Sequence, residues 1–200
     1  MVNQKTFFAI KPGYSEDPVI YSAIMKMLKD TNCNIYSQIK TQYTFEQATE
    51  HYKEIPEKFR KAAATYLSSG PIIGFILEDG RPEDQRDLDF ITYFRGVLGD
   101  TKCQNPGTIR NTITTDPRFV DNTKRIRAKH MNSEIGIDEI TTNVAHASDS
   151  YESFIRETKI LGTYNSSLYC LIVLYSDNTK ALIECESKEF EKKYLQYIEI

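Results

Sequence analysis

His146 closes the short apolar run Val144-Ala145-His146, and Ser148, Asp149 and Glu152 follow it closely. An imidazole is the side chain whose lone pair is available near neutral pH, so it can act as a nucleophile, a base or a ligand. Asp149 stands three residues before Glu152, a capping-box spacing that predicts a helix starting at Asp149. A histidine where a strand gives way to a helix lies beside free backbone N–H groups and the positive end of the helix dipole. That setting favours a phosphate group. Taken by itself, it reads first as a loop histidine without a task. Lys11 ends a second apolar run, Thr6–Ile10, which Pro12-Gly13 stops, and a lysine there is placed to point into a site. Lys124, Arg125, Arg127, Lys129 and His130 form a basic cluster that would meet phosphate, nucleic acid or solvent. His51, His130 and His146 show no ligand-like spacing, and Cys33, Cys103, Cys170 and Cys185 fit no zinc or redox pattern. The expectation is free thiols in a reducing compartment and no protein-only metal cage.

Several elements must hold these side chains. Lys5–Ile10 and Ile72–Leu77 read as buried strands, and Asn34–Tyr43 as a half-exposed strand with alternating apolar positions. Ser15–Asp30 carries a helical stripe at Val19, Ile20, Ala23, Ile24, Met27 and Leu28. Phe45–Glu54 and Pro56–Leu67 read as two short helices, and Leu88, Ile91, Arg95 and Leu98 give a further helical face ending at Gly99. Asp100–Asn143 reads as a long irregular stretch. A helix is expected from Asp149 to about Lys159. Two strands follow, Leu168–Tyr175 and Lys180–Glu186, around a Ser176-Asp177-Asn178 turn, and a short terminal helix begins at Glu189. The order predicts an α+β fold, a ferredoxin-like antiparallel sheet with helices on one face, a long insertion and a C-terminal β-hairpin extension.

With 200 residues and 40% hydrophobic content, the chain suits one domain with additions. A formal net charge of −3 gives no overall drive towards nucleic acid or an anionic membrane. No run of about 18 apolar residues predicts a spanning helix. The N-terminus reaches a strand-like run at once and lacks a secretory pattern, so a soluble cytoplasmic protein is expected.

Six motifs in order resemble those of the nucleoside diphosphate kinases: Lys11-Pro12, His51-Tyr52, Ser69-Gly70-Pro71, Arg95 with Thr101, Pro106-Gly107-Thr108-Ile109-Arg110, and Asn143 to Ser153. The resemblance covers roughly residues 4–158. It implies that His146 is phosphorylated and passes the phosphoryl group on, oriented by Ser148 and Glu157. It implies phosphate contacts from Lys11, Tyr52, Arg95, Thr101 and Arg110, ribose contacts from Asn143 and Lys11, and base stacking on Phe59. It further implies Mg2+ bound through the nucleotide phosphates, a homo-oligomer, and nucleoside di- and triphosphates as partners. Neither a membrane nor a nucleic acid is an expected partner.

The sequence departs from the family pattern in places. Gly13 stands where the family usually has Asp, and Asn111-Thr112 where it commonly has Gly-Asp. The gap between Arg110 and Asn143 is longer, as is that between Glu78 and Arg95, and the family's Trp-containing ending is missing. The expected organisation is a kinase-like domain over 1–158 with insertions near 79–90 and 111–142. An extension over 159–200 is expected to pack on the same domain. These departures keep an alternative open, a nucleotide-binding or scaffolding protein of the same fold with little phosphotransfer activity.

Overall fold

Four strands make the central sheet of the computed structural model: β1 (Lys5–Ile10), β2 (Cys33–Thr41), β3 (Ile72–Asp79) and β4 (Ala145–Ala147). Their order is β2-β3-β1-β4, and every neighbouring pair is antiparallel. The structure describes residues 5–164 and, beyond them, the strands 169–174 and 180–185. Seven α-helices lie within the described residues: α1 (Pro18–Asp30), α2 (Phe45–His51), α3 (Glu57–Ser68), α4 (Phe90–Leu98), α5 (Ile109–Thr115), α6 (Val120–His130) and α7 (Tyr151–Tyr164). The α+β class is the expected one, but helices cover both faces of the sheet rather than one. Every residue of β1 is buried. Phe8 and Ile10 join a core with α1, α4, α5 and α6, while Phe7 and Ala9 join a second core with α2, α3 and α7. The two-residue period of a strand sends alternate side chains to opposite faces, which explains this division.

Local chemistry sets the helix ends. Asp17 caps α1 by accepting from the N–H groups of Val19 and Ile20, with Pro18 at the first helical position. Thr44 and Gln47 make a reciprocal capping box on α2. The cap of α7 is Ser150, whose Oγ accepts from Ser153 N at 3.1 Å, and not Asp149 as the spacing predicted. Asp149 turns instead to Arg95, at 3.3 Å. The helix then runs on to Tyr164, past its expected end.

The stretch expected to be irregular contains α5, α6 and a 3-10 turn at Ser133–Ile135. Thr108 caps α5, and Ile109, Ile113, Phe119, Thr123 and Ile126 are buried. With about one buried residue per turn of α6, set among charged ones, the helical period is faint in the sequence. The basic cluster lies on α6, and three of its side chains are ion-paired there. Lys124 faces Asp121, Arg125 faces Asp17 and Arg127 faces Glu139.

β5 (Tyr169–Leu174) and β6 (Lys180–Cys185) pair antiparallel as a separate ribbon. The turn at Ser176-Asp177-Asn178 and the expected helix from Glu189 lie outside the described residues. Among the described residues no helix is long and apolar enough to cross a membrane.

Candidate active site

His146 sits in the middle of β4, opposite Ala9 of β1. Backbone bonds bracket it on both sides: Lys11 N donates to Val144 O, and Ser148 N to Phe7 O, each at 3.1 Å. Ala145 and Ala147 are buried, and His146 is half-buried. Glu157, on the second turn of α7, reaches back to it. Nε2 of His146 lies 2.8 Å from Glu157 Oε1, and Ser148 Oγ donates to Oε2 at 2.5 Å. A carboxylate so placed selects the tautomer with hydrogen on Nε2, and Nδ1 keeps the lone pair. Burial, and then the Lys11 cation, bring the His146 pKa down to about 3, so the ring is neutral at pH 7. Burial pushes the Glu157 carboxyl up.

A second imidazole stands against the first. The His51 ring centroid is 4.4 Å from that of His146, and its Nε2 is 3.9 Å from Glu157 Oε1. His51 is buried with no hydrogen bond to either ring nitrogen, and burial holds its pKa to about 3. Phe7 and Tyr52 complete an aromatic box, 6.2 and 5.8 Å from the His146 ring. No metal cage was expected from the histidine spacing, yet the fold brings donor atoms of His51, His146 and Glu157 within 4.8 Å of one another. Such a nitrogen-rich set suits a borderline transition metal better than Mg2+.

These groups open into a cleft of about 1290 Å³. Lys11, Tyr52, Phe59, Arg95, Thr101, Arg110, Asn143, His146 and Glu157 all line it. Ser148 is buried behind them and reaches the site through Glu157. Lys11 Nζ donates to Thr141 O at 3.3 Å, and burial, then Arg110, hold its pKa well below the usual lysine range. The guanidinium of Arg110 is fixed edge-on: Nε and Nη2 donate to Ala145 O at 3.2 and 2.7 Å, and Nη1 to Gly99 O at 2.7 Å. Arg95 and Thr101 are exposed. Phe59 is 56% exposed, a large apolar face offered to the cleft. Asn143 Nδ2 donates to Ile140 O at 2.6 Å, while its Oδ1 is buried with no donor. That oxygen is ready for a hydroxyl group. So the residues carried over from the resemblance, scattered through the chain, are brought together.

Sequence reasoning assigned no role to His51 or Arg156. Arg156 lines the cleft and pairs with Glu54 at 2.6 Å. The sole signal for either was adjacency, His51 to Tyr52 and Arg156 to Glu157. Acidic groups at the rim are engaged: Asp100 accepts from the N–H groups of Lys102, Gln104 and Asn105, and Asp138 from Thr141. Among the described residues the cleft therefore offers cations to phosphates and no cluster of open carboxylates to a cation. That fits a Mg2+ ion brought in on phosphate oxygens.

The sequence profile described as nucleoside diphosphate kinase matches residues 4–164. The chain is similar to nucleoside diphosphate kinase 3 of Danio rerio, 27% identical over 161 residues, covering 79% of this chain and 76% of the relative. It is equally similar to a nucleoside diphosphate kinase of Thermoplasma acidophilum, 27% identical over 160 residues, covering 80% and 88%. The fold is similar to the crystal structure of the Aquifex aeolicus nucleoside diphosphate kinase, with a TM-score of 0.52 and 23% identity over 79% of this chain and 94% of that one.

Proposed function

The chain belongs to the nucleoside diphosphate kinase family, and on that premise we propose that it moves the γ-phosphoryl group of a nucleoside triphosphate to a nucleoside diphosphate through phospho-His146. The observation that carries this reading is the Ser148–Glu157–His146 chain, which ends on a cleft lined by Lys11, Arg95 and Arg110. Phosphoryl transfer asks little covalent help of a protein; it asks for in-line positioning and neutralisation of charge.

In this mechanism the base stacks on Phe59, which tolerates many bases because each has a π-face. Asn143 Oδ1 accepts from a ribose hydroxyl, and Lys11 supports the ribose and the phosphates. Tyr52, Thr101, Arg95 and Arg110 hold phosphate oxygens, the two guanidinium groups as planar forks. Mg2+ carried on the phosphates would neutralise charge on their oxygens. The lone pair of His146 Nδ1 forms a bond to the γ-phosphorus. The bond from that phosphorus to the bridging oxygen breaks, and the nucleoside diphosphate leaves with the electron pair. Glu157 offsets the positive charge that the ring gains. A second nucleoside diphosphate then attacks the phosphorus through a terminal oxygen and restores the neutral imidazole. Donor product leaves before acceptor binds, which is ping-pong kinetics.

Incubation with γ-labelled ATP tests this. Wild type takes up one acid-labile phosphoryl group and passes it to added nucleoside diphosphate, and His146→Ala takes up none. Equal labelling of both, or labelling of neither, overturns the mechanism. Tight nucleotide binding without labelling favours the alternative of a binding or scaffolding protein.

A further inference from the structure

No task falls to His51 in the phosphotransfer reading, yet it packs against the nucleophile. It is the last residue of α2, is 2% exposed, and neither of its ring nitrogens has a hydrogen bond. A neutral imidazole carries one donor and one acceptor, and leaving both unmet in a buried place is costly. An apolar ring of the same shape would pack against Phe7, Tyr43 and Tyr52 without that cost. What distinguishes the imidazole from such a ring is a free lone pair. That lone pair belongs to a set of three. His51 Nε2 lies 3.9 Å from Glu157 Oε1, and His146 Nε2 lies 2.8 Å from the same oxygen. Donor atoms of all three residues lie within 4.8 Å of one another. Ligands bound at about 2.0–2.1 Å to a tetrahedral zinc ion stand roughly 3.3 Å apart, so the two separations to Glu157 bracket the one required.

All three residues line the cleft, which gives an ion a way in and leaves a fourth position open to water. Ser148 Oγ donates to the other oxygen of Glu157 and holds the carboxylate from behind. Lys11 and Arg110 repel positive charge at His146, which disfavours an ion held by charge alone, such as Mg2+. Two imidazole nitrogens favour a borderline transition metal instead. We propose that His51, His146 and Glu157 bind Zn2+ or a similar transition-metal ion, and that the bound ion switches the nucleophile off. The metal takes a lone pair on His146 Nε2, in place of the hydrogen that this nitrogen donates to Glu157. The neutral ring then carries its one hydrogen on Nδ1. Nε2 gives a proton to water and Nδ1 takes one from water, so the count is unchanged. The nitrogen that faces the γ-phosphorus is left without a lone pair, and no bond to phosphorus forms. The metal site stands on the geometry; the switching-off rests on the phosphotransfer reading.

Calorimetric titration of the full, metal-free chain with Zn2+, and visible spectroscopy with Co2+, read the site without turnover. Wild type should bind Zn2+ and give the d–d bands of four-coordinate Co2+ with no thiolate charge-transfer band. His51→Phe and Glu157→Gln should each weaken Zn2+ at least about tenfold, the least that losing even an outer partner of a metal costs. Cys103→Ser and His130→Gln should leave the affinity unchanged. Labelling of His146 from γ-labelled ATP, with Mg2+ in excess, reads the consequence. At free Zn2+ about ten times its Kd, wild-type labelling should fall about tenfold, and the same Zn2+ should leave the labelling of His51→Phe less reduced. A thiolate band overturns the proposal, as does an affinity that neither His51→Phe nor Glu157→Gln weakens. Zn2+ bound at this site while His146 is labelled at full rate overturns it too. If wild type is not labelled even without Zn2+, the proposed function falls and the switch with it, and the calorimetry alone decides the metal site.

Discussion

Glu157 accepts from the hydroxyl of Ser148 on one oxygen and from His146 on the other, with the His51 ring packed alongside. In the proposed mechanism its work is to fix which nitrogen of His146 carries hydrogen and to balance charge as the ring is phosphorylated. Glu157→Gln keeps an acceptor of the same shape and removes the charge. It should slow His146 labelling about 100-fold or more and leave KM nearly unchanged, since Glu157 reaches the reacting atoms only through the imidazole. Rapid-quench labelling measures this, and an unaltered rate would contradict it. The two histidines also make stability depend on pH. Each has a folded pKa near 3 against an ordinary 6.5, so between those values the unfolded chain binds more protons. Stability is therefore complete above about pH 6.5 and is lost as the pH falls towards 3. Glu157, pushed up by burial, takes a proton early in the folded state and opposes part of this. The slope should stay below about 2.7 kcal/mol per pH unit, the value for two protons. His51→Phe should flatten the slope by up to half in urea titrations across acidic and neutral pH; an unchanged slope would exclude His51 as a contributor. His146 was legible in the sequence because it lies between a strand and a helix inside a specific motif. His51 was not, because its proximity to His146 is made by packing across the sheet and leaves no spacing to read.

α6 explains a departure that the sequence left unaccounted for. Gly13 has φ +82°, and a Cβ added there would lie 2.6 Å from Ile126 Cγ2 on α6 and 3.1 Å from His130 Nε2. The helix thus rests directly on the turn that follows β1, and Tyr66 OH fastens the same turn by donating to Pro12 O at 2.8 Å. Gly13→Asp, which introduces the residue the family usually has, should therefore destabilise this chain by about 2–4 kcal/mol, through a left-handed backbone and an overpacked contact. Chemical denaturation checks it, and Ile126→Ala placed on top should return part of the loss. A Gly13→Asp chain as stable as wild type would mean that α6 does not press on the turn. The strands and α1 and α4 were legible because each carries several apolar residues at one period. α5 and α6 were not, because few of their residues are buried and their caps are single threonine or backbone groups amid many polar neighbours.

At the scale of the molecule, β2 is an edge of the sheet and carries Ile35, 40% exposed, with Val19 of α1 also exposed. A strand edge with apolar side chains is a surface for another chain. Sedimentation should find a homo-oligomer, and Ile35→Lys should shift it towards smaller species while His146 still labels; a wild-type monomer would refute this. The resemblance implied a homo-oligomer, but a contact surface could not be read from the sequence, because exposure is decided by which strand ends up outermost. The outermost strand at the other edge carries His146, and its three residues are held between the Lys11–Val144 and Ser148–Phe7 bonds. Those two bonds divide the chain into regions of very different tolerance. Before Asn143, the chain places α5, α6 and the 3-10 turn Ser133–Ile135 outside the sheet that holds His146. Between Val144 and Ser148, a single inserted residue would turn the histidine to the opposite face of the sheet and present an alanine to the nucleotide. Changes of length in this chain are therefore tolerable just upstream of Asn143, outside the sheet, and not within the five residues that fix the direction of the imidazole.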